Sequence, residues 1–125
     1  MFQLLLVMLG GAFGSGARYL TGKATLAMFG PSLPYGTFAV NLIGGFLMGT
    51  LVGALARLNM PTENWRLLLA VGVLGGYTTF SSFSLDVANM MQRGDLGVAA
   101  LYILASVVGS IAALFAGLAL VRVVA

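Results

Sequence analysis

Four stretches of this chain carry no charged side chain: Met1–Ala17, Ala24–Ala56, Leu67–Leu85 and Leu96–Val121. Charged residues are 7% of the sequence, against about 25% in an ordinary soluble domain. Water-compatible groups are too few to clothe a globule, so the outer surface must face lipid. A helix needs about 20 apolar residues to cross a bilayer core, which makes each stretch a candidate span. The second is too long for one crossing. It is divided by Phe29-Gly30-Pro31-Ser32-Leu33-Pro34-Tyr35-Gly36, whose prolines and glycines are turn chemistry. The expected fold is an all-α membrane protein with four transmembrane helices, at about residues 3–26, 37–56, 65–91 and 96–121 of a single integral membrane domain. Thr62 is placed to N-cap the third helix, and Trp65 and Arg66 suit the membrane interface. No basic residue precedes Leu4, so the first segment reads as a span and not as a cleaved leader.

Composition then removes whole classes of function. There is no Cys and no His. That excludes disulfides, Cys or His metal sites, Cys–His nucleophile pairs and His proton shuttles. The 6 cations stand singly, and without a Lys/Arg cluster nucleic acid is not a partner. No nucleophile–base or carboxylate pair can be assembled within the spans, so an enzyme is not expected. With four spans, Arg57, Arg66 and Arg122 lie on one side, and Arg18, Lys23 and Arg93 on the other. The tally is even, and the positive-inside rule then selects no orientation. Two opposed copies would form an antiparallel, dual-topology homodimer, like an inverted-repeat transporter made from two chains. The alternative is one orientation fixed by something other than loop charge. Four helices have little independent core, which favours oligomerisation.

Polar and small residues inside the spans are the next clue. Gly10/Gly14, Gly45/Gly49/Gly53, Gly72/Gly76 and Gly109/Ala113/Gly117 repeat at a spacing of four and read as packing seams. Asn41 is an amide in lipid, serving either as interhelical glue or as a pore group. Gly75-Gly76-Tyr77-Thr78-Thr79-Phe80-Ser81-Ser82-Phe83-Ser84 is poor continuous helix. Its hydroxyls can bond to backbone carbonyls, and its glycines ease departure from helical dihedrals. A third helix broken near mid-membrane is expected, with a kinked continuous helix as the alternative. Phe80 and Phe83 share a face, and ring edges would favour an anion where ring faces would favour a cation. Tyr102, Ser106 and Ser110 form one stripe, which could replace an anion's water shell or bond back to their own helix. Asp86 is the one acidic residue within a span and is expected to be wet or paired with an arginine. The first helix has no carboxylate, the feature a proton-coupled cation exporter needs. A cation exporter and a non-transporting scaffold are the rival readings.

These residues resemble the Fluc (CrcB-type) fluoride channel family along almost the whole chain. The match includes Gly10-Gly11-x-x-Gly14 leading to Arg18, Gly36-Thr37-x-x-Val40-Asn41-Leu42 and, most specifically, the Gly75–Ser84 string. The resemblance implies a dual-topology antiparallel dimer in the cell (inner) membrane, with two fluoride pathways that each use both chains. It implies that Asn41 donates near the fluoride path and that Phe80 and Phe83 present ring edges to the ion, with Ser81 beside them. Tyr102, Ser106 and Ser110 match the family's polar track, and Arg18 its first-helix arginine in a vestibule. The helix break matches a buried Na⁺ site, whose ligands here would be the backbone carbonyls of Gly75 and Thr78 from both subunits. The implied activity is passive export of cytoplasmic fluoride, with no coupling to ATP.

Overall fold

The computed structural model describes residues 1–124, and all its regular structure is helical. Helix α1 spans Phe2–Phe29, α2 Tyr35–Leu55, α4 Phe80–Gln92 and α5 Leu96–Val124. Helix α3 covers 63–77, and its middle, Arg66–Leu74, is wound as a π-helix. Together α3 and α4 make one crossing, so four helical units are long and apolar enough to span a membrane. Gly30 ends α1 at φ 81°, where its N–H bonds to the Leu26 carbonyl. A residue without Cβ enters that left-handed conformation at no steric cost, and the prolines that follow prevent the helix from resuming.

Two seams of small residues hold the bundle together. Helix α1 packs on the π-helical part of α3, and α2 packs along α5. A Cβ on Gly10 would lie 2.9 Å from the Cα of Gly72, and one on Gly76 would lie 2.7 Å from the carbonyl oxygen of Gly11. On the other seam, a Cβ on Gly45 would lie 2.7 Å from the Ser110 carbonyl oxygen, and one on Gly117 as close to the Thr50 nitrogen. The expected seams are backbone-to-backbone contacts at Gly10, Gly14, Gly45, Gly49, Gly72, Gly76 and Gly117, whereas Gly53 faces the Val121 side chain and Gly109 that of Leu42. Lipid tails are as apolar as leucine, so close van der Waals approach supplies the association that the hydrophobic effect supplies in water. The half-helix α4 is anchored differently. Phe83 and Met90 pack with Ala99 and Tyr102 of α5, and Phe38 and Val87 cover them.

The third crossing is broken, but not at its glycines. Gly75 keeps helical dihedrals (φ −62°, ψ −38°). The chain leaves the helix at Thr78 (φ −81°, ψ 159°) and Thr79 (φ −151°, ψ 119°). These are extended conformations that β-branched residues favour, and Gly76 serves the seam with α1. The Thr62 side chain makes no capping bond, although it sits at the N-cap position of α3. The first turn is closed instead by the Arg66 N–H on the Thr62 carbonyl and by an exposed Arg66–Glu63 ion pair.

The seams make a direct prediction. In Gly49→Ala the new methyl runs into the Leu114 carbonyl, and overpacking of this kind costs about 1–3 kcal/mol. Gly16→Ala meets nothing within 4 Å. Thermal unfolding of the purified variants in detergent should show a clearly lower midpoint for Gly49→Ala and none for Gly16→Ala. Equal midpoints would mean the α2–α5 seam does not depend on backbone contact.

Candidate functional site

A break in lipid leaves peptide groups without helical partners, and each needs another. In an unbroken helix the Thr79 N–H would close on the Gly75 carbonyl. Here it donates to Asn41 Oδ1 at 2.9 Å, and Asn41 Nδ2 donates back to the Thr79 carbonyl at 3.0 Å. The Ser82 N–H, whose helical acceptor would be the Thr78 carbonyl, instead donates to Thr79 Oγ1 at 3.1 Å. Thr79 thereby caps α4. The Gly76 carbonyl, deprived of the Phe80 N–H, accepts from Arg18 Nε at 3.2 Å. The Thr78 hydroxyl donates to the Leu74 carbonyl at 3.0 Å. The break leaves carbonyls behind, and those of Gly75, Tyr77 and Thr78 gain no replacement side chain.

An open groove of about 390 Å³ runs beside the break, between α2 and α5. Asn41, Thr79, Phe80, Phe83, Ser106 and Ser110 line it, on a floor of Gly44 and Gly45. Asn41 joins two crossings and lines the groove: one N–H holds Thr79, and its second N–H is uncommitted. Ser106 is 5% exposed, and its Oγ has no hydrogen-bond partner. Neither Ser106 nor Ser110 bonds back to its own helix, unlike Thr21, Thr25, Thr50 and Ser84. The Phe80 and Phe83 rings lie 5.6 Å apart, inclined at 46°. Phe83 is 8% exposed and Phe80 is 77% exposed, so Phe80 projects from the single chain.

Three other expected site residues sit at the margins. Tyr102 shares the α5 stripe but does not line the groove. Its ring packs 5.3 Å from that of Phe83, and its hydroxyl donates to Asp86 Oδ2 at 3.0 Å. Of the two expectations for Asp86, the arginine pair is not formed: a tyrosine holds the carboxylate, which also lines an open cavity. Tyr102 comes two α5 turns before Ser110, which places its hydroxyl within reach of Asp86 on the antiparallel α4. Ser81 is exposed, with its hydroxyl 3.3 Å from Thr79 Oγ1. Arg18 lines a second cavity of about 360 Å³, together with Thr37, Thr79, Ser82 and Asp86.

Thr79 lines both cavities, caps α4 and is gripped by Asn41, and sequence reasoning passed over it. The signal was weak: Thr is a favoured N-cap residue, but no Glu or Gln stands three residues on to complete a capping box. Replacing Asn41 should loosen this arrangement. Asn41→Ala leaves the Thr79 N–H without a partner and its carbonyl with only the helical bond that an N-cap residue accepts, at about 1–3 kcal/mol for the stranded N–H. Amide exchange across residues 78–82 should rise by about tenfold or more. Unchanged exchange would show that the break is held by other contacts.

Residues 5–118 match the family described as CrcB-like protein, Camphor Resistance (CrcB). A protein of Caulobacter vibrioides (strain NA1000 / CB15N) named fluoride-specific ion channel FluC is 58% identical over 123 residues, covering 98% of this chain and 97% of that protein. A protein of the same name from Agrobacterium fabrum (strain C58 / ATCC 33970) is 55% identical over 122 residues, covering 98% of each. One from Sphingopyxis alaskensis (strain DSM 13593 / LMG 18877 / RB2256) is 50% identical over 122 residues.

Proposed function

The chain belongs to the CrcB-like protein family, and we propose that it is a fluoride-selective channel through which cytoplasmic fluoride leaves passively, relieving fluoride toxicity. It is a multi-pass membrane protein and, in this reading, acts in the cell's inner membrane. The negative interior potential drives the anion outward, and fluoride that enters as HF from acid surroundings is expelled. No reaction is catalysed, as the channel names of the relatives imply.

The observation that carries the reading is the buried Ser106 hydroxyl, which has no partner and lines the apolar groove. A buried polar group without a partner costs about 1–3 kcal/mol, a cost that makes sense where a ligand completes the bond. Fluoride is small and tightly hydrated, so a path that strips its water must return strong donors. Ser106, Ser110 and the second N–H of Asn41 supply them along one groove. The positive edges of Phe80 and Phe83 add to them. Tyr102 continues the stripe on α5 and steadies Phe83, and Ser81 stands beside the aromatic pair.

The working unit in this reading is an antiparallel, dual-topology homodimer. The even split of cations across the membrane and the outward projection of Phe80 support it, since a second copy would cover the open side of the groove. Two grooves then give two fluoride pathways. The carbonyls of Gly75 and Thr78 suit a hard cation, because Asn41 and Thr79 have taken the N–H groups that would otherwise satisfy them. Both copies together would offer four such oxygens to a central Na⁺. When bound, that ion supplies a fixed positive charge that offsets the electrostatic cost of an anion in low dielectric.

The test is efflux from liposomes loaded with fluoride, followed with a fluoride electrode after valinomycin is added. Fluoride should leave quickly, chloride should stay, and Phe80 or Asn41 variants should slow the release. Folded protein that releases no fluoride would overturn the reading. Ser106→Ala separates transport from folding. Fluoride flux should fall about tenfold, while thermal stability holds or rises because a stranded hydroxyl has been removed. A stable Ser106→Ala protein with undiminished flux would take the hydroxyl off the path.

A further inference from the structure

Four main-chain acceptors lose their helical donors at the break, at Gly75, Gly76, Tyr77 and Thr78, and of these Gly76 is met by a side chain. Arg18 Nε donates to the Gly76 carbonyl across 58 residues of sequence. Arg18 has no carboxylate within 4 Å, since the ion pairs among the described residues are Arg66–Glu63 and Arg93–Asp95. Asp86, across the same cavity, is occupied by the Tyr102 hydroxyl. An arginine in a span without a counter-ion would ordinarily serve as an attractor of anions. The geometry gives it a further task, because the Nε–H of the delocalised guanidinium is spent on a main-chain carbonyl.

We infer that Arg18 is a positioning residue for the ion path: its Nε–H replaces the helical hydrogen bond that Gly76 loses, and so fixes the end of α3 against α1. Asn41 fixes Thr79 on the far side of the break, and Arg18 fixes the near side. The seam contact of Gly76 with Gly11 brings the carbonyl within reach of the next turns of α1. Tyr77 and Thr78 lie between the two clamps, and Gly75 lies one residue before the first. The inference rests on the channel reading for its transport consequence, but not for its structural one.

Side-chain chemistry gives a sharp test. Glutamine carries its amide nitrogen at the same bond count from Cα as the Nε of arginine. Arg18→Gln therefore keeps the donor and removes the charge. Arg18→Lys keeps the charge but puts a methylene where the donor was. Hydrogen–deuterium exchange across residues 76–80 should remain close to wild type in Arg18→Gln and rise by about tenfold in Arg18→Lys. Fluoride efflux from liposomes should follow the same order, within about threefold of wild type for Gln and reduced by about tenfold for Lys. If lysine prevents assembly, the yield of monodisperse protein is read in the same way, with Gln expected to fold and Lys not. The reverse order in either measurement would overturn the inference and leave Arg18 as an attractor of anions. Equal behaviour of the two variants, whether both intact or both impaired, would overturn it too. The exchange result decides the matter even if the wild-type protein passes no fluoride, so failure of the channel reading and failure of this one are told apart.

Discussion

A peptide group without a partner is hardly tolerated in lipid, and this structure is arranged around one place where the chain leaves several of them. At Thr78 and Thr79 the third crossing becomes extended. The reciprocal pair between Asn41 and Thr79 makes that break possible. One amide side chain on α2 meets both main-chain groups of a residue on the neighbouring crossing, so the break is tied to a particular turn of α2. Thr79 then starts α4 by capping it. The direction of α4, the position of Phe80 and Phe83, and the groove beside them all follow from that pair.

The glycine seams supply the other half of the architecture. They bring backbones into direct contact at Gly10, Gly14 and Gly76 between α1 and α3, and at Gly45, Gly49 and Gly117 between α2 and α5. Beside the α2–α5 seam, where the break turns the third crossing aside, Asn41, Ser106 and Ser110 line one groove. In an apolar wall such donors attract a small anion more strongly than they would in water. The chain thus combines rigid packing at its seams with uncommitted donors in its groove, and it does so with few charged groups.

Much of this was legible in the sequence. The charge-free stretches gave four crossings, the spacing of four gave the seams, and the string from Gly75 to Ser84 foretold a break. The place of the break did not follow, because glycine is permissive in either state and here packing holds Gly75 and Gly76 in the helix. The π-helical winding of Arg66–Leu74 leaves no mark on a segment that is apolar on nearly every side. The bonds of Arg18 to Gly76 and of Tyr102 to Asp86 join distant positions, and only the packed helices bring them together. Thr79 was hidden because its importance lies in its backbone, which Asn41 grips, as much as in its side chain.

The most direct measurement is the reversal potential of the current carried by the purified protein in a planar bilayer, with opposed fluoride and chloride gradients and equal pH. A passive fluoride-selective path requires reversal at the fluoride equilibrium potential, unmoved when the chloride gradient is changed. Reversal that tracks chloride, or that shifts when a pH gradient is imposed, would contradict selective passive conduction.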